Sequence, residues 1–241
     1  MLTNAIDCTI ERRLLVNYRI DPEVVMRHLP APFRPQLISE WAVGGVCFIR
    51  LGGLRPAHFP STLGLTTENV AHRFAVEWDD EEGTQVGVYI PGRATDSRIT
   101  AWAGDRIFPG VHQFAQFQVA EGGAGVQIDV ERRRGPLRLS VAAQESDSLT
   151  GELFGSLDDA ISFFGRGSLG FSPSGHADRL VGVRLESQGW GARPVVIGTW
   201  CQACSTTRAN SHKARALSTL DLSCVTSPLA GAVEGPCKSS P

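Results

Sequence analysis

Apolar residues along the chain fall into short runs that are separated by glycine, proline and acidic turns. Val70, Phe74, Val76 and Trp78 follow a nearly two-residue period, which is typical of a strand with one buried face. An acidic turn at residues 79–83 separates them from the next apolar run, and this arrangement predicts a hairpin. In all, strands are predicted at residues 9–20, 41–51, 70–78, 86–90, 111–119, 125–133, 137–143, 180–185 and 195–200.

Helical signals are few and short. An Asp-Pro pair at 21–22 supplies an N-cap and a first helical residue. Residues 95–104 predict a second helix, capped by Thr95 or Asp96, and Ser156 caps a third. Many strands with two or three short helices predict a β-rich α+β domain built around a β-barrel or half-barrel.

Glycine and proline also predict interruptions of the strands. Gly44 and Gly45 lie inside an apolar run and indicate a buried, sharply bent strand. Residues 52–63 lack a strand pattern and predict a loop. Pro91 and Gly92 are predicted to end the second strand of the hairpin.

Polar and charged side chains gather among the apolar strand residues of the segment 66–119. Such a set predicts either a solvated rim or a lined pocket, and we expect a pocket. The polar residues of this segment are Glu68, Asn69, His72, Arg73, Arg93, Asp96, Ser97, Arg98 and His112. The expected ligand-binding residues among them are His72, Arg73, Arg93, Ser97, Arg98 and His112.

Glu68 is the candidate catalytic residue, as an acid or base. A carboxylate on a largely apolar strand has its pKa raised by desolvation unless an arginine compensates. Arg73, Arg93 and Arg98 are the candidate partners. A purely structural ion pair between Glu68 and an arginine is the competing interpretation, and the sequence leaves both open.

Three common kinds of site are disfavoured. Residues 165–170 spell G-x-G-x-x-G, but a predicted helix precedes them where a dinucleotide loop requires a strand, so we expect a helix end and no cofactor. The histidines lack metal-binding spacing, and Glu68 is the only suggested third ligand for His72 and His112, so no metal site is predicted. No G-x-S-x-G elbow is present, and Ser97 is expected to start a helix.

Composition limits the partners. With 241 residues, 42% of them hydrophobic, the chain can bury a sizeable core, and a single domain is predicted over residues 1–200. A net charge of −2 and a pI near 6.3 do not indicate the basic surface that is typical of nucleic-acid-binding proteins. No apolar run approaches the length of a membrane span, and residues 1–15 lack the apolar centre of a secretory leader. We expect a cytoplasmic protein.

Four segments together carry a resemblance to a known family. The sequences ENVAHRFAVEW, GVYIPGRATDSR, AGDRIFPGVHQFAQF and GSLDDAISFFGRGSLGFS resemble the uncharacterised YqjF-like family of bacterial proteins. That family is similar to acetoacetate decarboxylase in fold, and the likeness runs from about Arg12 to Val196. The resemblance implies a β-barrel-centred fold with a pocket in the barrel, and it brings no known activity.

At one position of chemical importance, this chain departs from the pattern of the decarboxylases. The decarboxylases place a Lys-Lys pair just after the strand that matches residues 87–91, and one of these lysines forms a Schiff base. This chain has Gly92 and Arg93 there, and its first lysine is Lys213. Arginine stays protonated and cannot form an imine, so Schiff-base chemistry is excluded unless Lys213 reaches the pocket. Arg93 could instead bind a ligand carboxylate through its planar fork.

The last 41 residues depart in another way. Residues 201–241 hold both lysines and four of the six cysteines, and they lack the aromatic-Asp-Asp and Phe-Pro-x-Gly features with which members of the family end. Another reading frame can encode such features, so we expect a frameshifted, disordered tail. A lost terminal strand would leave an unpaired edge, which favours homo-oligomer formation.

Three functional hypotheses follow. The first is a pocket protein that binds a small carboxylate or carbonyl compound. The second is a lyase or hydratase that uses Glu68 as a base and an arginine to stabilise an enolate. The third is a non-functional product of a frameshifted gene.

Overall fold

Strands dominate the computed structural model, which describes residues 5–104, 110–123, 125–133, 137–149, 153–175, 179–187, 191–203, 229–232 and 235–240. The strands in the N-terminal half are β1 (Ile6–Ile20), β2 (Arg34–Pro35), β3 (Leu37–Ile38), β4 (Trp41–Pro56), β5 (Leu65–Asp80), β6 (Gly83–Thr95), β7 (His112–Phe114) and β8 (Gln116–Gly122). The later strands are β9 (Gly125–Glu131), β10 (Arg138–Glu145), β11 (Leu169–Pro173), β12 (Leu180–Ser187), β13 (Arg193–Ala203), β14 (Leu229–Ala232) and β15 (Gly235–Ser240). The helices are α1 (Pro22–Met26), α2 (Arg98–Ala103) and α3 (Leu157–Arg166), with a 3₁₀ turn at Ser61–Leu63.

The strands form one large, strongly curved sheet. β1 pairs with β4, β4 with β5, and β5 with β6, all antiparallel. β11 adds to β6 in parallel and is followed by β12 and β15, and β15 also pairs with the first part of β1. A second arm runs from β1 through β14 to β13, β10, β9 and β8. The β-rich α+β fold class that the sequence predicts is confirmed.

Two of the three helices begin where the sequence predicts. The side chain of Asp21 caps α1 by accepting a hydrogen bond from the backbone N–H of Glu23 at 2.8 Å. Ser156 caps α3 through the backbone N–H of Asp159 at 3.1 Å. α3 ends at Arg166 with Gly167 as its C-cap, and β11 begins at Leu169. The G-x-G-x-x-G run is therefore the end of a helix, as expected.

The second helix, α2, begins later than predicted. Ser97 caps it through the backbone N–H of Thr100, at 3.1 Å, so the expectation of Thr95 or Asp96 as the cap is wrong. Both of those side chains already accept other hydrogen bonds. Thr95 Oγ1 accepts from the N–H of Ser97, and Asp96 Oδ1 accepts from the N–H of Glu68.

Two predicted interruptions do not end their strands. β6 continues through Pro91 to Thr95 because Ile90 and Pro91 together oppose the single residue Arg73 of β5. Such a bulge leaves one residue unpaired, and the missing N–H of proline is tolerated there. β4 likewise continues to Pro56, and a register shift next to Gly53, whose φ is +63°, absorbs the irregularity.

The region after residue 200 is described in part. β13 extends to Ala203, and the backbones of β14 and β15 pair with β1, β12 and β13. Residues 204–228 lie outside the described residues, so the expected disordered tail and its frameshift origin stay predictions. The nucleotide sequence of the gene tests the frameshift, and stop codons in the alternative frame would contradict it.

Apolar packing holds the helices against the curved sheet. Phe163 of α3 packs with Val43 and Ala75, and Ala103 of α2 packs with Leu54. The main core lies elsewhere in the sheet and contains, among others, Leu14, Val16, Phe48, Val70, Phe74, Ile128 and Val141. Among the residues with described positions, no helix has the length and apolar character needed to cross a membrane.

Candidate functional site

A cavity of about 250 Å³ lies inside the curve of the sheet. β1, β4, β5, β6 and β12 form most of its wall, and residues of α2, β7 and the segment 167–170 complete it. Most of the wall is apolar, with Ile10, Ile49, Leu51, Ile90 and Leu185 among its residues. The polar and charged side chains that reach the cavity include Arg13, Asn69, Arg73, Thr100, Arg93 and His112.

Strand register brings the charged residues together. Asn69 and Arg73 occupy alternate positions of β5 and therefore share one face of the sheet. Ala71 lies between them, opposite Cys47 of β4 on one side and Arg93 of β6 on the other. His112 of β7 then pairs with Arg93. The cavity thus receives groups from four successive strands at nearly one level.

Arg73 is an almost completely buried guanidinium group, with 7% of the residue exposed. It donates a hydrogen bond to Asn17 Oδ1 and lies over the Phe164 ring, 4.7 Å from the ring centroid. Burial lowers the pKa of Arg73 to about 10, so the group is still cationic at neutral pH. Within the described part of the chain, no carboxylate pairs with Arg73.

Arg93 is in a similar position. Its Nη2 donates a hydrogen bond to Ser172 Oγ at 2.8 Å, while its Nε is buried and lacks a hydrogen-bond partner. Burial lowers the pKa of Arg93 to about 10, which again leaves it charged at neutral pH. No Asp or Glu of the described ranges forms an ion pair with Arg93.

His112 contributes a neutral ring to the cavity wall. Burial, followed by the nearby charge of Arg93, lowers the pKa of His112 to about 4. Its Nδ1 lies 3.0 Å from the Gly110 carbonyl oxygen, which can only accept, so Nδ1 carries the proton. Nε2 is therefore left as a hydrogen-bond acceptor, and it can receive a proton from a ligand.

The structure adds Arg13 and Cys47 to the cavity, and it also places there Asn69, which belongs to the polar set of the segment 66–119 but not to the expected ligand-binding residues. Cys47 has 6% of its surface exposed, and it interacts electrostatically with both Arg73 and Arg93. Asn69 could have been found from the alternation of β5, because it precedes Ala71 and Arg73 by even steps. Arg13 could not have been found from alternation, because register shifts in β1 between residues 7 and 12 change which residues face inward.

Glu68, the candidate acid or base, does not line the cavity. Its side chain pairs with Arg12 and lies 3.5 Å from Arg50 Nη1, so its partners are not the expected Arg73, Arg93 or Arg98. Burial raises the pKa of Glu68, and the charge of Arg12 opposes that rise. The position matches the competing interpretation of a structural ion pair.

Three further predicted site residues also lie away from the cavity. His72 contacts Gln202, with 3.4 Å between their Nε2 atoms, and burial lowers its pKa to about 4. Ser97 is the cap of α2, as its sequence context suggests. Arg98 is exposed, and its guanidinium carbon lies 5.2 Å from the Phe114 ring centroid. Of the predicted set, the cavity brings together Arg73, Arg93 and His112.

Solved structures share this fold at low sequence identity. An acetoacetate decarboxylase from Legionella pneumophila matches with a TM-score of 0.60 and 11% identity, over 97% of this chain and 86% of that one. An acetoacetate decarboxylase-like enzyme from Sphingomonas wittichii RW1 matches with a TM-score of 0.54 and 14% identity, over 97% and 91%. The enduracididine biosynthesis enzyme MppR, solved with pyruvate, matches with a TM-score of 0.53 and 12% identity, over 98% and 87%.

These likenesses confirm the predicted acetoacetate decarboxylase-like fold. A search of curated proteins found no significant match. A family match covers residues 8–164, well over half of the chain, and it includes β1, β4, β5 and β6 of the cavity wall. The chain belongs to DUF2071, a family described as "Uncharacterized conserved protein (COG2071)".

Proposed function

We propose that this protein binds a small organic carboxylate in the cavity, with Arg73 and Arg93 holding the carboxylate group. One observation carries the proposal: Arg73 and Arg93 both line the cavity, and neither has a carboxylate partner among the described residues. Arg13 adds a third positive group to the same wall.

Electrostatics favours an anionic ligand at this position. A buried charge without a partner destabilises a fold, by about 3 to 5 kcal/mol where one member of a buried pair has been removed. A bound carboxylate would supply that partner, and guanidinium groups match carboxylates through two parallel hydrogen bonds. The neutral ring of His112 adds no charge, and its Nε2 can accept a hydrogen bond from a ligand hydroxyl.

The rest of the cavity favours an apolar body on the ligand. Its volume of about 250 Å³ equals that of about eight water molecules at about 30 Å³ each, which suits an acid of about six carbons. The wall around the arginines is mostly aliphatic. MppR, which shares the fold, was solved with pyruvate, and a carboxylate ligand for this chain is consistent with that complex.

Schiff-base chemistry does not fit this proposal. The described cavity wall contains no lysine, and an arginine cannot form an imine. The alternative of a lyase or hydratase that uses Glu68 has less support, because Glu68 is paired with Arg12 outside the cavity.

A thermal-shift experiment tests the proposed function. Hexanoate and 2-oxohexanoate should raise the melting temperature, whereas the neutral isostere hexanamide should not. Arg73→Gln and Arg93→Gln should each weaken hexanoate binding at least about tenfold, or about 1.4 kcal/mol. Arg98→Gln removes the same charge from an exposed site and serves as the matched control. Equal shifts with hexanoate and hexanamide would overturn the proposal.

A further inference from the structure

Cys47 lies in the wall of the cavity, which Arg73 and Arg93 also line. It is paired in register with Ala71, which is paired in turn with Arg93 on the far side. The neighbouring β4 position on the same face, Gly45, is paired with Arg73. The thiol therefore lies on the same sheet face as both arginines, one strand from Arg73 and two strands from Arg93.

Both arginines interact electrostatically with Cys47. A cysteine attacks a carbonyl carbon through its sulfur, and here the sulfur lies on the same sheet face as two cationic side chains of the cavity wall. The same cations are the groups that would hold a ligand carboxylate. A carbon next to a bound carboxylate would thus be presented to the sulfur of Cys47.

We propose that Cys47 is a nucleophile that captures 2-oxo carboxylates in this cavity as a reversible hemithioketal. The inference rests on the proposed carboxylate site and adds an electrophile class to it. Two observations support it independently of the cysteine itself. Arg73 is more than nine-tenths buried and has no acidic partner in the described part of the chain, and Arg93, which lines the same cavity, has a buried Nε atom without a hydrogen-bond partner.

The step balances without any further reagent. The sulfur of Cys47 forms a bond to the ketone carbon, and the electron pair of the carbonyl π bond moves to the oxygen. That oxygen takes up one proton, which replaces the proton lost by the thiol. Thiol and 2-oxo acid become one adduct, nothing is oxidised or reduced, and the reverse step returns both. Arg73 and Arg93 hold the carboxylate throughout.

Carbon-13 NMR of the full-length protein with 2-oxohexanoate labelled at carbon 2 tests the adduct. We expect a signal from a tetrahedral carbon bonded to sulfur, distinct from those of the free ketone and its hydrate. Cys47→Ser and Cys47→Ala should abolish that signal and still bind hexanoate, which lacks the ketone. Cys201→Ser removes an exposed cysteine that does not line the cavity, so it should keep the signal.

The outcomes separate this inference from the function on which it rests. If hexanoate binds and no sulfur-bonded carbon forms, the nucleophile proposal fails and the carboxylate site stands. A tetrahedral signal that persists in both Cys47 variants would assign the adduct to water or another group and would also overturn the proposal. If neither acid binds, both proposals fail.

A second measurement uses alkylation rates. For each reagent, the alkylation rate of Cys47 is divided by that of Cys201 in the same chain. This relative rate should be higher with the anionic reagent iodoacetate than with neutral iodoacetamide, so the iodoacetate-to-iodoacetamide ratio of the relative rates should exceed one. The ratio should fall at least about tenfold in Arg73→Gln, and excess hexanoate should protect Cys47 from both reagents. A Cys47 that neither reagent modifies while Cys201 is labelled would contradict a nucleophilic thiol.

Discussion

Asn17 accepts a hydrogen bond from Arg73 across an intervening strand, at the position of Gly45. Asn17 and Arg73 are the register partners of Gly45 on its two sides. A Cβ atom at Gly45 would lie 2.9 Å from Asn17 Oδ1 and 2.4 Å from the Val16 carbonyl oxygen. The missing side chain therefore allows the amide of β1 to reach the guanidinium group of β5.

Gly45→Ala is predicted to destabilise the fold and weaken carboxylate binding together. The added methyl group meets backbone, which cannot move without shifting β1, and overpacking of this kind costs about 1 to 3 kcal/mol. Urea unfolding gives the stability, and hexanoate titration gives the affinity. Gly92→Ala, also within a strand, places its methyl group where nothing lies within 4 Å, so it should change neither quantity.

Asn17→Asp is predicted to stabilise the protein and to compete with the ligand. The substitution keeps the shape of the side chain and places a carboxylate beside Arg73, where the described chain has none. The melting temperature without ligand should rise, and hexanoate affinity should fall about tenfold or more, equivalent to about 1.4 kcal/mol. Gln118→Glu adds the same charge on the exposed face of β8 and should leave hexanoate binding unchanged. Unaltered affinity in Asn17→Asp would argue against Arg73 as the carboxylate anchor.

Gly110→Ala is predicted to disturb the supports of Arg93 and His112. Gly110 has a φ of +79° and accepts from His112, and its added Cβ would lie 2.9 Å from the Cβ of Ser172, which accepts from Arg93. Gly123→Ala is the matched control, because its φ is +58° and nothing lies within 4 Å of its Cβ. In both variants an alanine replaces a glycine at a positive φ, which costs about 1 to 2 kcal/mol of backbone strain. Loss of hexanoate affinity should occur in Gly110→Ala alone, and equal losses would rule out the proposed contact.

The sequence predicts the strands well where alternation and turn residues agree. The hairpin of β5 and β6 and the capped helix α3 are examples, because each depends on local chemistry at Asp79, Gly83 or Ser156. It failed at Pro91, where a bulge formed with a distant strand offsets the missing N–H. Long-range register of this kind is not encoded in any short window of sequence.

The same limitation applies to the site. His72 and Arg73 are adjacent, and so are Glu68 and Asn69, so strand alternation places only one of each pair in the cavity. The polar character of the segment 66–119 indicated a site, but only the pairing of β5 with β4 and β6 shows which face is enclosed. Arg13 and Cys47 come from strands outside that segment, and their partners are found only in the folded sheet.

Stability is predicted to fall as the pH drops from about 6.5 towards 4. Burial lowers the pKa values of His72 and His112 from 6.5 to about 4, so between these values the unfolded chain binds protons that the folded chain does not. Stability therefore rises with pH across this window, by up to about 1.4 kcal/mol per pH unit for each histidine, and is fully present above pH 6.5. Urea unfolding at pH 7.5, 6.0 and 5.0 measures the slope. His112→Gln should reduce the slope, whereas His58→Gln, at an exposed position, should leave it unchanged, and a slope insensitive to His112 would contradict the neutral buried ring.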